Sequence, residues 1–216
     1  MKYRAALFDF DGTLTPSLPL WVKAFHIAVE KVGASYTDEE VIRLFFYRNW
    51  AEAAAELKFA SLEEFREEIH RGLRIAFTEA VLFPEVIAVL DRCRANGLRT
   101  AIVTSAPRVV LEDVMPRLQI HEHFDYVICA DDVKNFKPHP EPVLTTLGVL
   151  KCLPHEAIMI GDSTADILAG KAAGTATALF LTAGHSPFHK EDALRATNPD
   201  HIFSHHRELH SIIGLA

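Results

Sequence analysis

Short apolar runs alternate with helical patterns from Pro84 towards the C-terminus, and this alternation constrains the fold more than any other feature. Gly97 and Gly174 follow two of the helical patterns, at the position where a glycine commonly ends a helix. Alternating strands and helices form a parallel sheet with helices on both faces. We predict strands over 98–103, 126–129, 157–160, 177–181 and 201–203, and helices over 84–96, 107–118, 141–150 and 164–173, with a further helix at the C-terminus.

The region before this alternation has a different pattern. Residues 5–8 are an apolar run that Asp9 breaks, which predicts a buried strand ending in a loop. From 19 to about 80 the pattern indicates consecutive helices, and Thr37 and Ser61 begin capping-box patterns. We therefore predict an α/β fold, a Rossmann-like parallel sheet core with an inserted all-helical cap. The predicted core comprises residues 1–15 and 83–216, and the predicted cap comprises residues 16–82.

Composition and charge exclude several classes of function. The chain has 216 residues, of which 49% are hydrophobic and 24% are charged, so a sizeable core is expected and bulk disorder is not. The formal net charge of −7 argues against a general affinity for nucleic acid or for an anionic membrane. The first apolar run is too short for a signal peptide or a membrane span, and the three cysteines match no zinc spacing. We expect a cytoplasmic protein.

Two pairs of aspartates follow predicted strands. Asp9 and Asp11 follow the first strand, beside a glycine that permits a sharp turn. Asp162 and Asp166 follow a later strand, at the opening of a helix. Carboxylates so close repel one another unless a cation offsets their charge, and a divalent metal would leave one oxygen of Asp9 free as a nucleophile. Taken alone, the first pair is equally typical of a surface turn, and Asp166 of an acid placed by the helix dipole.

Hydroxyl groups and a lysine follow other strands. Thr104 and Ser105 come directly after the strand over 98–103, where hydroxyls can donate to an anion, and Lys137 precedes prolines that stiffen its loop. In isolation, a helix cap and a solvated loop lysine are the better interpretations. The carboxyl ends of parallel strands border one crevice, however, so we expect all these groups to converge. Paired acids for Mg²⁺, with a lysine and hydroxyls for an anion, indicate phosphoryl chemistry.

The chain carries, in this order, the motifs Asp9-x-Asp11-Gly12-Thr13, Thr104, Lys137 and Gly161-Asp162-x-x-x-Asp166. These motifs resemble the haloacid dehalogenase superfamily, specifically its phosphatase members of the phosphoglycolate phosphatase and β-phosphoglucomutase type. A helical insert between the first and second motifs looks like the family's first type of cap. Residues 14–17 lack the acidic residue often found there in phosphoglycolate phosphatase-like members, which weakens that specific assignment.

The resemblance implies a role for each residue. Asp9 would be the nucleophile that forms an aspartyl-phosphate, and Asp11 the acid for the leaving oxygen and later the base for the hydrolytic water. Thr104, Ser105 and Lys137 would bind phosphoryl oxygens. The implied cofactor is Mg²⁺, and its implied ligands are Asp9, Asp11 through its backbone carbonyl, Asp162 and, in an assisting role, Asp166.

We therefore predict a Mg²⁺-dependent phosphatase that hydrolyses a small phosphate monoester. Its expected partner is a small phosphorylated metabolite, with no nucleic acid and no membrane, and we expect a monomer or a homodimer. A phosphomutase acting on a sugar phosphate would carry the same motifs, and a non-catalytic phospholigand-binding protein could keep the same fold. A dehalogenase is disfavoured because halide displacement does not need the proton that Asp11 supplies.

Two other segments contain polar residues that these motifs do not include. Residues 47–50 interrupt an apolar pattern in the cap, and they fit either polar groups in the crevice or a turn capped by Asn49. Four histidines near the C-terminus have spacings that would suit a metal on a helix, but no carboxylate or cysteine is spaced to complete such a site. We therefore expect a solvated tail at His201, His205, His206 and His210.

Overall fold

Six short strands pair in parallel into one sheet in the computed structural model, which describes residues 2–46 and 49–215. The strands are β1 (Ala5–Phe8), β2 (Arg99–Val103), β3 (Tyr126–Ile128), β4 (Ala157–Gly161), β5 (Ala176–Phe180) and β6 (His201–Phe203). Their order across the sheet is β3-β2-β1-β4-β5-β6, so β1 lies between β2 and β4. The predicted parallel sheet is confirmed, and the strands match their predicted bounds to within a residue at each end.

Both faces of the sheet are buried. Phe8 belongs to the apolar core on one face, and Leu7 belongs to the core on the other. On β4, Ile160 lies beside Phe8 and Met159 lies beside Leu7, and they divide between the two cores in the same way. Because successive side chains point to opposite faces and both faces are covered, these strands are continuous apolar runs in the sequence.

Consecutive helices occupy the chain between β1 and β2. They are α1 (Leu18–Glu30), α2 (Asp38–Phe45), α3 (Trp50–Glu56) and α4 (Leu62–Ala76), followed by a 3-10 turn (Phe77–Glu79). Thr37 and Glu40 form the predicted capping box at the start of α2, and the Ser61 hydroxyl accepts the Glu64 N–H at the start of α4. None of the described residues from 18 to 79, which we call the helical segment, lies in a strand.

Close contacts hold the helical segment together. A Cβ atom added to Gly72 of α4 would lie 2.4 Å from the Ala24 carbonyl oxygen of α1, so the two backbones approach to a distance that a side chain would prevent. Beside this contact, the rings of Phe25 and Phe45 stack with their centroids 4.5 Å apart. Asn49 accepts the N–H of Ala51 and caps α3 as one alternative expected, whereas Tyr47 and Arg48 lie outside the described residues.

The chain crosses into and out of the helical segment at neighbouring positions, and an aromatic contact also joins this segment to the remainder of the chain. The Phe83 N–H donates to the Leu14 carbonyl at 2.9 Å, so the outgoing and returning chains lie side by side. The ring of Phe46 packs on Phe188 at 5.4 Å between centroids. The predicted domain limits fall near these crossings, and the division into residues 1–15 with 83–216 and residues 16–82 stays a prediction.

The remaining helices lie between and after the strands of the sheet. They are α5 (Val86–Ala95), α6 (Arg108–Arg117), α7 (Glu141–Leu150), α8 (Thr164–Ala173), α9 (Glu191–Ala196) and α10 (Leu209–Ile213). The prediction started α5 too early, because Glu85 has a left-handed backbone with φ +69°. The prediction missed α9, whose first turn has no side-chain cap to mark its start. Among the described residues, no helix is both long and apolar enough to cross a membrane.

Candidate active site

The carboxyl ends of β1, β2 and β4 bring three of the predicted residues to one place. Asp9 follows β1, Thr104 follows β2 and Asp162 follows β4, and all three side chains are buried. The Asp9 N–H donates to the Ile160 carbonyl at 2.8 Å and so continues the ladder between β1 and β4. Strand pairing therefore places the two aspartates next to each other, although more than half of the chain separates them in sequence.

Lys137 lies at the bottom of this site rather than in solvent. Only 9% of the residue is exposed, and its Nζ donates to Asp9 Oδ1 at 2.7 Å, to Asp166 Oδ1 at 2.6 Å and to the Val103 carbonyl at 2.7 Å. An ammonium group has three donors, and here each has a partner. Burial lowers the pKa of Lys137, but the carboxylates of Asp166 and Asp9 outweigh burial and hold the pKa above its usual range. The interpretation as a solvated loop lysine is wrong.

Three carboxylates form a cluster that carries more negative charge than Lys137 can offset. Asp9, Asp162 and Asp166 each place an oxygen within 4.8 Å of the others, and all three are buried. Burial and the charge of Asp166 raise the pKa of Asp9 well above its ordinary value, and Lys137 opposes only part of this shift. Gly12 lets the loop after Asp9 lie this close to Asp162, because a Cβ atom at position 12 would be 2.2 Å from Asp162 Oδ2. Hard oxygen donors in this number fit Mg²⁺.

Asp11 lies beside the cluster in a different environment. Its Oδ1 accepts the Ser17 hydroxyl, and the Trp21 indole of α1 lies close enough to the carboxylate to lower its pKa. Burial raises the pKa of Asp11 to about 6, although the Ser17 hydroxyl and the Trp21 indole lower it. A carboxyl group with a pKa in this range can give and take protons near neutral pH. The motifs did not indicate Ser17 or Trp21, because a serine or a tryptophan near a helix start has no distinctive pattern.

The other predicted residues line the same end of the sheet. The buried Thr104 hydroxyl accepts the Ala106 N–H at 3.0 Å, which leaves its own hydrogen available to donate. Ser105 is exposed beside it. Asp166 has both oxygens engaged, since Oδ1 accepts from Lys137 and Oδ2 accepts from the Ser163 N–H and hydroxyl. These contacts suit Asp166 to a supporting role around a metal.

Two buried histidines hold the loop that follows Asp9. His185 Nε2 donates to the Gly12 carbonyl at 2.9 Å, and His206 Nε2 donates to the Thr13 carbonyl at 2.8 Å. The expectation of a solvated tail is wrong for His206, which is 3% exposed and stacks on Phe83. Burial lowers the pKa of both histidines, to about 4 for His206, so both imidazoles are neutral at pH 7.

This burial predicts a pH-dependent stability. The pKa of His206 is about 4 in the folded protein and 6.5 in the unfolded chain, so the unfolded chain takes up a proton first as the pH falls. His206 therefore stabilises the fold above pH 6.5, and this contribution is lost as the pH falls towards 4. Between pH 7 and pH 5 we expect the wild type to lose about 2 kcal/mol more stability than the variant His206→Gln, which keeps a side-chain N–H donor. Urea unfolding at both pH values measures the difference. The exposed His205→Gln is the control, and equal pH dependence of wild type and His206→Gln would contradict the assignment.

The amino-acid sequence matches the family described as haloacid dehalogenase-like hydrolase over residues 6–180, which include all four motifs. The chain belongs to the haloacid dehalogenase-like hydrolases. Among its relatives, the phosphoglycolate phosphatase of Yersinia pestis is 31% identical over 222 residues, which cover 98% of this chain and 94% of that protein. The pyrophosphatase PpaX of Bacillus pumilus is 30% identical over 212 residues, which cover 96% of this chain and 95% of that protein.

A solved structure has the same fold. A protein of Haemophilus somnus described as a predicted phosphoglycolate phosphatase superposes with a TM-score of 0.83 and covers 98% of both chains, at 21% sequence identity. That likeness shows the haloacid dehalogenase-like fold, and the phosphatase relatives place this hydrolase in the phosphatase branch of the superfamily. The resemblance that the motifs indicate is therefore confirmed at the level of fold, family and enzyme class.

Proposed function

We propose that this haloacid dehalogenase-like phosphatase hydrolyses a small phosphate monoester through an aspartyl-phosphate on Asp9. The observation that carries the proposal is the Lys137 ammonium, which bridges Asp9 and Asp166 inside a buried cluster of carboxylates. A lysine in this position orients the Asp9 carboxylate and attracts an anionic substrate, because the phosphate itself brings negative charge to the site. A purely structural ion pair would not need a third carboxylate, that of Asp162, next to it.

The first step transfers the phosphoryl group to the protein. An oxygen of Asp9 forms a bond to phosphorus while the ester P–O bond breaks, and the leaving oxygen takes the proton of the Asp11 carboxyl group. In the second step Asp11, now ionised, takes a proton from water as the water oxygen attacks phosphorus. Inorganic phosphate leaves, and Asp9 regains its carboxylate. The Asp11 pKa of about 6 suits both steps, because a carboxyl group with this pKa can donate a proton in the first step and accept one in the second near neutral pH.

Thr104, Ser105 and Lys137 would provide donors for the phosphate oxygens. Thr104 keeps a hydroxyl hydrogen to donate, Ser105 is exposed next to it, and Lys137 supplies positive charge. These groups spread the charge of the transferring phosphoryl group over several donors, which is the main task in this chemistry.

We propose that Mg²⁺ is the cofactor. Asp9, Asp162 and the backbone carbonyl of Asp11 would hold it, and Asp166, whose Oδ1 accepts from Lys137, would assist. When bound, Mg²⁺ supplies the positive charge that lets a phosphate approach the buried carboxylates. The close oxygen atoms of the cluster and the raised pKa of Asp9 support this assignment.

A panel of phosphate monoesters tests the proposal. Phosphate release from p-nitrophenyl phosphate, 2-phosphoglycolate and several sugar phosphates, with pyrophosphate alongside, is measured with Mg²⁺, with EDTA, and after Mg²⁺ is restored. We expect turnover of at least one monoester that EDTA removes and Mg²⁺ restores. Turnover that survives EDTA would contradict the metal assignment. Binding without turnover would favour the non-catalytic alternative, and interconversion of sugar phosphates without phosphate release would favour the mutase.

A monomeric or homodimeric state and a cytoplasmic location stay predictions.

A further inference from the structure

A histidine that the proposed reaction does not use touches one of the proposed metal ligands. His189 Nε2 lies 3.2 Å from Asp162 Oδ2, and the Thr13 hydroxyl donates to Asp162 Oδ1 at 3.0 Å. A carboxylate accepts hydrogen bonds, so the imidazole donates its Nε2–H here. Asp162 is 1% exposed, and donors on both of its oxygens fix the plane of its carboxylate.

The loop that carries His189 is itself held in place. The backbone N–H of His189 donates to the His185 carbonyl at 2.9 Å, and the His185 imidazole is bound to the Gly12 carbonyl. On the other side, the ring of Phe188 packs on Phe46 of the helical segment. Contacts to the loop that follows Asp9 and to the helical segment thus determine where the His189 imidazole lies.

From this geometry we propose that His189 is a positioning residue that orients Asp162 and thereby strengthens the binding of a divalent cation. The inference rests on the metal site of the proposed function. Hydrogen bonds to a ligating carboxylate reduce the reorganisation that binding requires, and their loss commonly weakens metal affinity by about 10- to 100-fold. The side chain of His189 is 14% exposed, so truncation removes packing as well as the hydrogen bond to Asp162. The unfolding temperature of each variant therefore has to be measured alongside metal binding.

Mn²⁺ serves as the probe because free Mn²⁺ is counted directly by electron paramagnetic resonance. The dissociation constant of Mn²⁺ is measured for the full chain as wild type, His189→Ala, His189→Gln and Asp162→Asn, with His155→Ala as an exposed control. We expect His189→Ala to weaken Mn²⁺ binding by about 10- to 100-fold, and the amide donor of His189→Gln to restore it to within about threefold. Thermal unfolding checks that each variant is folded.

The outcomes separate this inference from the function on which it rests. Unchanged or tighter Mn²⁺ binding in His189→Ala, with weakened binding in Asp162→Asn, would overturn the role of His189 and leave the metal site intact. Equal binding by wild type and Asp162→Asn would instead overturn the metal site, and the inference with it. A nitrogen hyperfine coupling to bound Mn²⁺ that disappears in His189→Ala would show direct ligation, which also overturns the positioning role.

Discussion

Replacing Asp9 by asparagine is expected to abolish phosphate release, with a loss on the order of 10⁴-fold or more. An amide cannot form the bond to phosphorus that the carboxylate forms, and the Thr104 and Lys137 donors cannot substitute for it. The fold should persist, because Lys137 keeps its bonds to Asp166 and to the Val103 carbonyl.

Colorimetric phosphate release with saturating Mg²⁺ measures this loss, and circular dichroism checks the fold. Asp192→Asn is the matched control, because Asp192 is exposed in the first turn of α9 and this substitution changes the charge by the same amount. Activity of Asp9→Asn within twofold of the wild type would show that Asp9 is not the nucleophile.

Replacing Asp11 by asparagine is expected to slow turnover by about 10²- to 10⁴-fold, and unequally between the two steps. An asparagine amide cannot protonate the leaving oxygen of an alkyl phosphate, so the first step fails with such substrates. p-Nitrophenolate leaves without a proton, so with p-nitrophenyl phosphate the first step should continue while hydrolysis of the aspartyl-phosphate becomes limiting.

Rapid mixing of Asp11→Asn with p-nitrophenyl phosphate should therefore give a burst of p-nitrophenolate close to one equivalent of protein, followed by slow turnover. Mass spectrometry of the acid-quenched protein should show the added phosphoryl group. The same experiment with Asp9→Asn should give no burst. Equal losses on alkyl and p-nitrophenyl substrates, without a burst, would contradict the acid and base roles of Asp11.

The sequence was sufficient for the sheet and for the gathering of the acidic pairs. Residues 5–8 and 157–160 are apolar runs that end in aspartate, and parallel strands must place such ends at one edge of the sheet. The bounds of α7 and α8 were also predictable, because each has a clear start and α8 ends at Gly174. These predictions succeed because each depends on residues that are close together in the sequence, and a parallel sheet then determines where the strand ends lie.

Contacts made by side chains from distant parts of the chain were not predictable in the same way. His206 binds the Thr13 carbonyl across 193 positions, and nothing near His206 in the sequence indicates that partner. A solvated tail was expected instead, because no carboxylate or cysteine is spaced to complete a metal site there. The aromatic rings that bury His206 come from separate parts of the sequence. Lys137 was a candidate through its stiffened loop and its place in the motif order, but its burial depends on three acceptors from three different segments.

The contact of Gly72 with the Ala24 carbonyl limits how the helical segment can move. Because the two backbones approach too closely for a side chain to fit between them, we expect α1 and α4 to move together rather than separately. A change in the angle between these helices and the sheet would then have to arise at the crossings near Leu14 and Phe83, which a backbone hydrogen bond joins. Because Trp21 is part of α1, any displacement of this pair of helices would also change the distance between the indole and Asp11, and with it the pKa of that carboxyl group.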